Sequence, residues 1–578
     1  MYKGLRDYID LLERKGELIR INTFVDPVYE ITEITNRVSK MPGGGKALLF
    51  ENTGTAFPVI INMLGSEKRM LYALGVESFP EITARVDQLI EEVSGEKNTL
   101  MSKLKMLPVL AEAAKWMPKE VKGIPPCQEV VLYKPGLSRF PILKCWPEDG
   151  GRFITLPLVH TNDPKTGIRN VGMYRMQVFT EDTTGMHWHR HKTGARHFDE
   201  FGGVRMPVAV CLGGDPVYTY AATAPLPDNI DEYLFAGFLR GKGVGLTKCL
   251  TQDLMVPADC DFVLEGYVDK KEAKVIEGPF GDHTGFYSLE DLYPVFHITC
   301  ITHRKEAIYP ATVVGVPPQE DKYIALATEK IFLSPIKLAI APEIEDLYLP
   351  EEGTGHNFAV IKIKKRYPGQ AVKIAHAMWG AGQMMFNKAL LVIDSGEGQA
   401  IDIRDHKALS GYIRKHYLPK RDTYFSRGPL DVLDHTSPVC GFGGKICIDA
   451  TAKLSEELGT QNTPSPVFRS FITFLHASDP LSAESQIAVI LDDEFDTGNT
   501  YRNLWLLGGN ADMIRDTRFE TVLAPSGEKV TLLLIDARRK VTGENGFTRP
   551  WPGIVASSPE TIAAVDKKMA DLPSELKE

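Results

Sequence analysis

Arg169-Asn170-Val171-Gly172-Met173-Tyr174-Arg175, with Met186-His187-Trp188-His189-Arg190-His191 close behind, concentrates the residue types that do chemistry. An amide, a guanidinium and three imidazoles sit among apolar residues in two strand-like segments, so oxygen, cation and ring nitrogen can converge on one ligand. Strand alternation aims His187, His189 and His191 at one face. A solvated His-rich strand or an adventitious metal-binding tract would have the same composition. The acids downstream shift the balance. Val275 to Tyr287 (VIEGPFGDHTGFY) places Glu277 and Asp282 five residues apart in a loop with three Gly and one Pro. A lone GDHTG is ordinarily a turn. With Arg175 it becomes a site: a Glu paired with Arg⁺ stays ionised, while an Asp that is desolvated or crowded by charge keeps a proton near neutrality. The expectation is a depressed Glu277 and a raised Asp282.

These residues need a scaffold. From Gln128 to about Ile301 short alternating runs such as Glu129–Tyr133, Met176–Phe179, Pro207–Val210 and Phe262–Tyr267 are separated by Gly, Pro and Asp turns, as in an all-β barrel or sandwich. One helix, Ile230 to Leu239, interrupts them. Before this region Leu5, Ile9, Leu11 and Leu12 mark an amphipathic helix ending near Gly16, and Leu18–Ile21, Ala47–Phe50 and Pro58–Asn62 read as strands. Gly43-Gly44-Gly45-Lys46 is not a phosphate loop, because Ala47 follows and leads into a strand. Residues 97–126 look like a boundary. Beyond Tyr323 strand and helix alternate again.

That last region contains a repeat. ALLVID, a helix, KRDTYF and KICIDATAK between Ala389 and Lys453 recur as IAVILDD, NLWLLGG, IRDTRF and TLLLIDARRK between Ile487 and Lys540. A duplicated strand–helix–strand unit explains the order. The fold class expected is α/β, in α+β multidomain form: an N-terminal α/β domain (1–125), a central β-domain (126–310), a linker (311–340), a C-terminal α/β domain (341–459), an inserted repeat (460–547) and a tail helix (548–578).

Composition excludes several partners. Net charge is −9 with no basic block, which disfavours nucleic acid and anionic membranes. No apolar run approaches the roughly 18 residues that span a bilayer. The eight Cys are scattered without metal-site spacing, as in buried free thiols of a reducing compartment. A cytoplasmic protein with a small-molecule ligand is expected.

NVGMYR at 170–175, the spaced His191, DEYLFAG at 231–237, EGPFGDHTGFY at 277–287 and GFGGKICIDAT at 441–451 together resemble the UbiD family of (de)carboxylases that use prenylated FMN. The resemblance covers roughly 1–455 and resumes near Arg549. It implies a central split β-barrel holding the flavin and a C-terminal domain that mediates homo-oligomerisation, as dimer or hexamer. Carried over by position, Asn170, His191 and Glu232 bind a divalent metal at the cofactor phosphate. One imidazole with oxygen ligands suits Mn²⁺, with Mg²⁺ the alternative and K⁺ a further candidate ion. Met173, Tyr174, Arg175, His187, Trp188, His189 and Lys192 match flavin-lining positions, and Lys388 matches a phosphate-side lysine. His187 and His189 replace the Arg and aliphatic residue of other members, which bears on pocket polarity.

The implied reaction is loss of CO₂ from an aromatic acid, phenolic or quinone-precursor. Arg175, held by Glu277, meets the substrate carboxylate and Asp282 protonates the carbon. An α,β-unsaturated acrylic acid is the alternative substrate, and a reversible carboxylase the alternative direction. A flavin-reductase-like oxidoreductase would need neither Glu277 nor Asp282. A flavin prenyltransferase is implied as cofactor supplier.

Overall fold

The structure, a computed structural model, describes residues 2–94, 110–398, 401–457 and 464–576, and divides into two compact units, 1–328 with 553–578 and 329–552. Of residues 97–126, expected as a boundary, 97–109 lie outside the described residues, and 110–126 include the short strand Lys119–Glu120.

The first unit starts as the apolar spacing requires. Leu5, Tyr8, Ile9 and Leu12 form the buried face of helix Leu5–Arg14. The helix stops at Gly16, whose φ of +70° is left-handed backbone that glycine adopts without strain. Strands Leu18–Ile21, Ala47–Phe50, Val59–Ile61 and Tyr309–Pro310 make a four-stranded sheet in that order.

The β-region forms a seven-stranded antiparallel sheet. Its order is Thr183–Gly185, Val295–His303, Phe262–Asp269, Arg205–Leu212, Leu158–Asn162 and Arg169–Met173, with Val130–Leu132 paired on Val295–His303. Its apolar side chains join those of the N-terminal sheet in one core. Arg169–Met173 is a terminal strand of this sheet, and the chain leaving it carries Tyr174 and Arg175. The final segment returns to the same unit: Val555 N–H donates to the Gly285 carbonyl at 2.9 Å, and Tyr287 N–H to the Gly553 carbonyl at 3.0 Å. Helix Pro559–Lys568 docks on helix Glu30–Ser39 through the Arg37–Asp566 and Lys568–Glu30 ion pairs.

Three local expectations are corrected. His187, His189 and His191 are not on a strand, because strand Thr183–Gly185 ends before them and they occupy the loop ahead of helix Thr193–Glu200. The β-region holds that helix and Pro216–Ala221 in addition to Glu232–Arg240. Residues 311–340, expected as linker, contain the 19-residue helix Asp321–Ala339.

In the second unit two sheets share one plan. Phe358–Ile363, Ala389–Asp394 and Phe442–Asp449 run parallel, and Thr423–Pro429 is antiparallel to Phe442–Asp449; Ile344–Tyr348 adds an edge. Ser470–His476, Ser485–Leu491 and Lys529–Asp536 run parallel, with Thr517–Leu523 antiparallel to Lys529–Asp536. The repeat seen in the sequence is thus a repeat of topology. Among the described residues no helix is long and apolar enough to cross a membrane.

Candidate active site

Arg175 is the centre of a buried charge cluster. Its Nε and Nη2 donate to the two oxygens of Glu277 at 2.9 and 3.0 Å, Nη2 also donates to Ser288 Oγ at 2.9 Å, and Nη1 donates to Asp282. Four of its five N–H groups are thereby used. The fifth, on Nη1, has no acceptor among the described residues. All three charged side chains are buried, with Glu277 at 0% exposure. The guanidinium lies over the Phe280 ring, 4.9 Å from its centroid.

The loop that presents the acids is pinned by groups the sequence reading passed over. Asp149 accepts the N–H groups of Gly281, Cys145 and Trp146 at 2.8, 3.1 and 2.9 Å. Gln177 accepts Gly278 N–H at 2.8 Å, and Ser288 Oγ accepts Phe280 N–H at 3.1 Å. An Asp in a Pro-Glu-Asp-Gly turn and a Ser beyond the conspicuous loop carry no local mark of this role. Burial pushes Asp149 up to about 7 against its backbone donors.

Burial alone would raise Glu277, but Arg175 and then His187 hold it down to about 2. Asp282 is a correction. Burial acts to raise it, yet Arg175 and His283 hold it below the usual carboxylate range. The expected division gave Arg175 to Glu277 alone; the fork instead reaches both acids, so both are ionised in this state. Two carboxylates against one guanidinium leave the cluster with an excess negative charge.

The histidines extend it. His187 Nδ1 lies 3.0 Å from Glu277 Oε2, and His187 Nε2 lies 2.7 Å from His189 Nε2. Burial lowers His187, so the ring is neutral; it donates from Nδ1 to the carboxylate and accepts from His189. Tyr293 packs against His187 with centroids 4.3 Å apart. Trp188 and Tyr174 are buried close by in the chain, while Met173, His189 and Lys192 are half-buried.

A second cluster lines a small surface pocket that includes Arg169, Asn170, Thr193, Arg196, His197 and Glu232. Asn170 comes from strand Arg169–Met173 and Glu232 is the first residue of a helix capped by Asp231. Glu232 accepts Val171 N–H at 2.8 Å, and burial pushes it up to about 8. Asn170 Nδ2 is buried and, by distance and angle, has no hydrogen-bond acceptor among the described residues. A carboxylate that burial pushes toward the neutral form, beside an Asn amide whose Oδ1 is the atom able to coordinate, fits a divalent cation, which would restore the ionised Glu232. Arg169, Arg196 and the N-terminus of helix Thr193–Glu200 suit a phosphate. His191, exposed, does not line the pocket but stands two residues ahead of Thr193, which does.

Lys388, expected on the phosphate side, is paired within its own unit. It lies in the second unit at 1% exposure, where its ammonium meets Asp434 at 2.7 Å, Gly508 O at 2.9 Å and Thr436 Oγ at 3.2 Å. Those acceptors use all three N–H groups.

Three domain models of one family match successive parts of the chain. They are the N-terminal domain of 3-octaprenyl-4-hydroxybenzoate carboxy-lyase over 9–89, its Rift-related domain over 119–317 and its C-terminal domain over 322–450. An uncharacterized protein of Aquifex aeolicus is 47% identical over 470 residues, 81% of this chain and 95% of its own, and so is shorter by about one repeat. Vanillic acid decarboxylase of Sedimentibacter hydroxybenzoicus in closed form is 26% identical with a TM-score of 0.68, over 80% of this chain and 95% of that one. The UbiD-class enzyme HmfF of Pelotomaculum thermopropionicum in complex with FMN is 25% identical with a TM-score of 0.64, over 78% and 95%.

Proposed function

The chain belongs to the UbiD family of carboxy-lyases, and from that premise we propose that it removes CO₂ from an aromatic acid using prenylated FMN. The buried Arg175 shared by two carboxylates carries the reading. Asn170, Glu232 and His191 are the residues that would hold a divalent metal, Mn²⁺ or Mg²⁺, with Arg169 and Arg196 beside the cofactor phosphate. The bound cofactor supplies the electron sink that no side chain offers to an sp² carbon losing CO₂.

The protein positions and protonates. The remaining Nη1 N–H of Arg175 receives the substrate carboxylate, next to Asp282. A further anion there adds negative charge to a cluster that already has an excess and draws the guanidinium away from Asp282. Both effects raise the pKa of Asp282. Asp282 then takes up a proton, by way of His283 Nδ1 at 3.0 Å from Oδ1. Glu277 stays ionised and keeps Arg175 oriented. When the carbon–carboxylate bond breaks and CO₂ leaves, Asp282 delivers its proton to the carbon, so that R–CO₂⁻ and H⁺ become R–H and CO₂.

Similarity to an enzyme named for vanillic acid supports a phenolic or quinone-precursor acid. The His187, His189 and Tyr293 rings, packed on one another beside Glu277, are polar aromatic groups that would suit such an acid. The test is CO₂ release from a panel of phenolic and acrylic acids by protein made with a prenylated-FMN supply. Phenolic acids are expected to turn over, and turnover of acrylic acids alone would replace the substrate class. Asp282→Asn, loaded with flavin to the same absorbance, should lose about 10²–10⁴-fold in turnover and in solvent-deuterium exchange at the product carbon. Full activity in that variant moves the proton to another group.

A further inference from the structure

Three hydrogen bonds recur at equivalent positions in the two copies of the repeated unit. In the first, Leu418 N–H donates to Asp422 at 2.7 Å, Arg421 Nε to the same carboxylate at 2.8 Å, and Lys453 Nζ to the Asp449 carbonyl at 3.0 Å. In the second, Asp512 N–H donates to Asp516 at 2.8 Å, Arg515 Nε to that carboxylate at 2.8 Å, and Lys540 Nζ to the Asp536 carbonyl at 2.9 Å. Helices His406–His416 and Thr500–Asn510 have the same length and the same place ahead of these motifs. With the strand registers, this fixes the correspondence. Lys388 answers to Gln486, Arg414 to Gly508, Leu418 to Asp512, Phe425 to Phe519 and Gly444 to Thr531.

Several contacts between the copies then fall into matched pairs. Lys388 Nζ of the first reaches the Gly508 carbonyl of the second at 2.9 Å, and Gln486 Nε2 of the second reaches the Arg414 carbonyl of the first at 3.1 Å. These are one contact made in both directions. Helix Pro419–Asp422 packs on strand Lys529–Asp536, while Asp512 accepts Gly444 N–H from strand Phe442–Asp449 at 2.9 Å. Phe425 and Phe519, each the other's equivalent, meet edge to face at 6.3 Å. Contacts i to j matched by j to i, with one residue touching its own counterpart, define a two-fold axis through an isologous interface. Unrelated surfaces packed together have no reason to obey that rule.

We propose that this face is the one through which two chains bearing a single copy would pair, and that the second copy occupies it in cis as a built-in partner. Tethering raises the local concentration of the attached copy to about the millimolar range, so a second chain is shut out of this face. One departure from symmetry has a local cause. The first copy has a long connection, 430–441, that brings Asp434 to Lys388, whereas the second joins Leu523 to Lys529 through a short one whose single acid, Glu528, is exposed. A neutral Gln486 makes the same carbonyl contact without leaving a charge buried alone.

Sedimentation velocity on a chain lacking 460–547 tests the proposal. Uncovering the face should double the oligomeric order relative to the intact chain, and Phe425→Glu in the shortened chain should restore the original order. Equal order in the shortened and intact chains overturns the proposal. If the shortened chain does not fold, the intact chain decides. Cys440 is the exposed thiol among the described residues, so Phe425→Cys and Phe519→Cys are introduced with Cys440→Ser and treated with a short bifunctional maleimide. A link joining the two peptides within one chain is expected. A covalent dimer, or no link, overturns the cis arrangement.

Discussion

Arg175 and Lys388 are both buried cations, and they meet their carboxylates in opposite proportions. Lys388 faces one acid, Asp434, and a carbonyl and a hydroxyl complete its valence. Arg175 faces two acids, and one of its N–H groups remains without an acceptor among the described residues. The balanced pair is saturated, and in our reading it braces the two repeats against each other. The unbalanced cluster stores negative charge next to a vacant donor, which suits a site that must bind an anion and then take up a proton. Low exposure and strong pairing are common to both, so burial does not separate brace from site. Stoichiometry does.

The sharpest way to break this contrast is Arg175→Met. It leaves Glu277 and Asp282 buried without a cation, at a cost of about 3–5 kcal/mol. It also removes the donor we propose for the substrate carboxylate, so turnover should fall by at least about 10³-fold. Retained turnover, measured as CO₂ release per bound flavin, would sink the assignment of this cluster as the site.

Lys388→Met is the matching test on the other side. Asp434 loses its partner, so thermal or urea unfolding should show a loss of about 3–5 kcal/mol. Flavin content and turnover per folded molecule should be unchanged. A selective loss of flavin with normal stability would return Lys388 to the cofactor and end the contrast.

The smallest expected effect is in acid. Glu277 and Asp282 are held below their ordinary values in the folded protein, so they bind fewer protons there than in the unfolded chain. Their stabilisation is complete above the ordinary carboxylate range and is lost as pH falls toward about 2. The loss is on the order of 2 kcal/mol. Urea midpoints between about pH 3 and 7 should therefore fall more steeply in acid for the wild type than for Arg175→Met, whose unpaired acids gain from protonation. Parallel curves would mean that Arg175 does not set these pKa values.

Much was legible in the sequence because it is written locally. Leu5, Ile9 and Leu12 have helical spacing, strands Phe262–Asp269 and Arg205–Leu212 sit between turn residues, and KRDTYF and IRDTRF announce two units of one topology. The site's residue types were visible for the same reason, as motifs within a dozen residues. What the sequence could not decide was how charges were shared. Arg175 is 102 and 107 residues from the acids it joins, so whether its fork served one or both depended on the packing of loops from distant strands. That choice set the sign of the Asp282 shift, because burial and a neighbouring cation push a carboxylate in opposite directions and only contact distance settles the sum. Asp149 and Ser288 were invisible because their work is to hold backbone and side-chain groups far along the chain. The two-fold meeting of the repeats was likewise decided in three dimensions: similarity of two segments fixes their internal folds, but only surface complementarity fixes which faces meet.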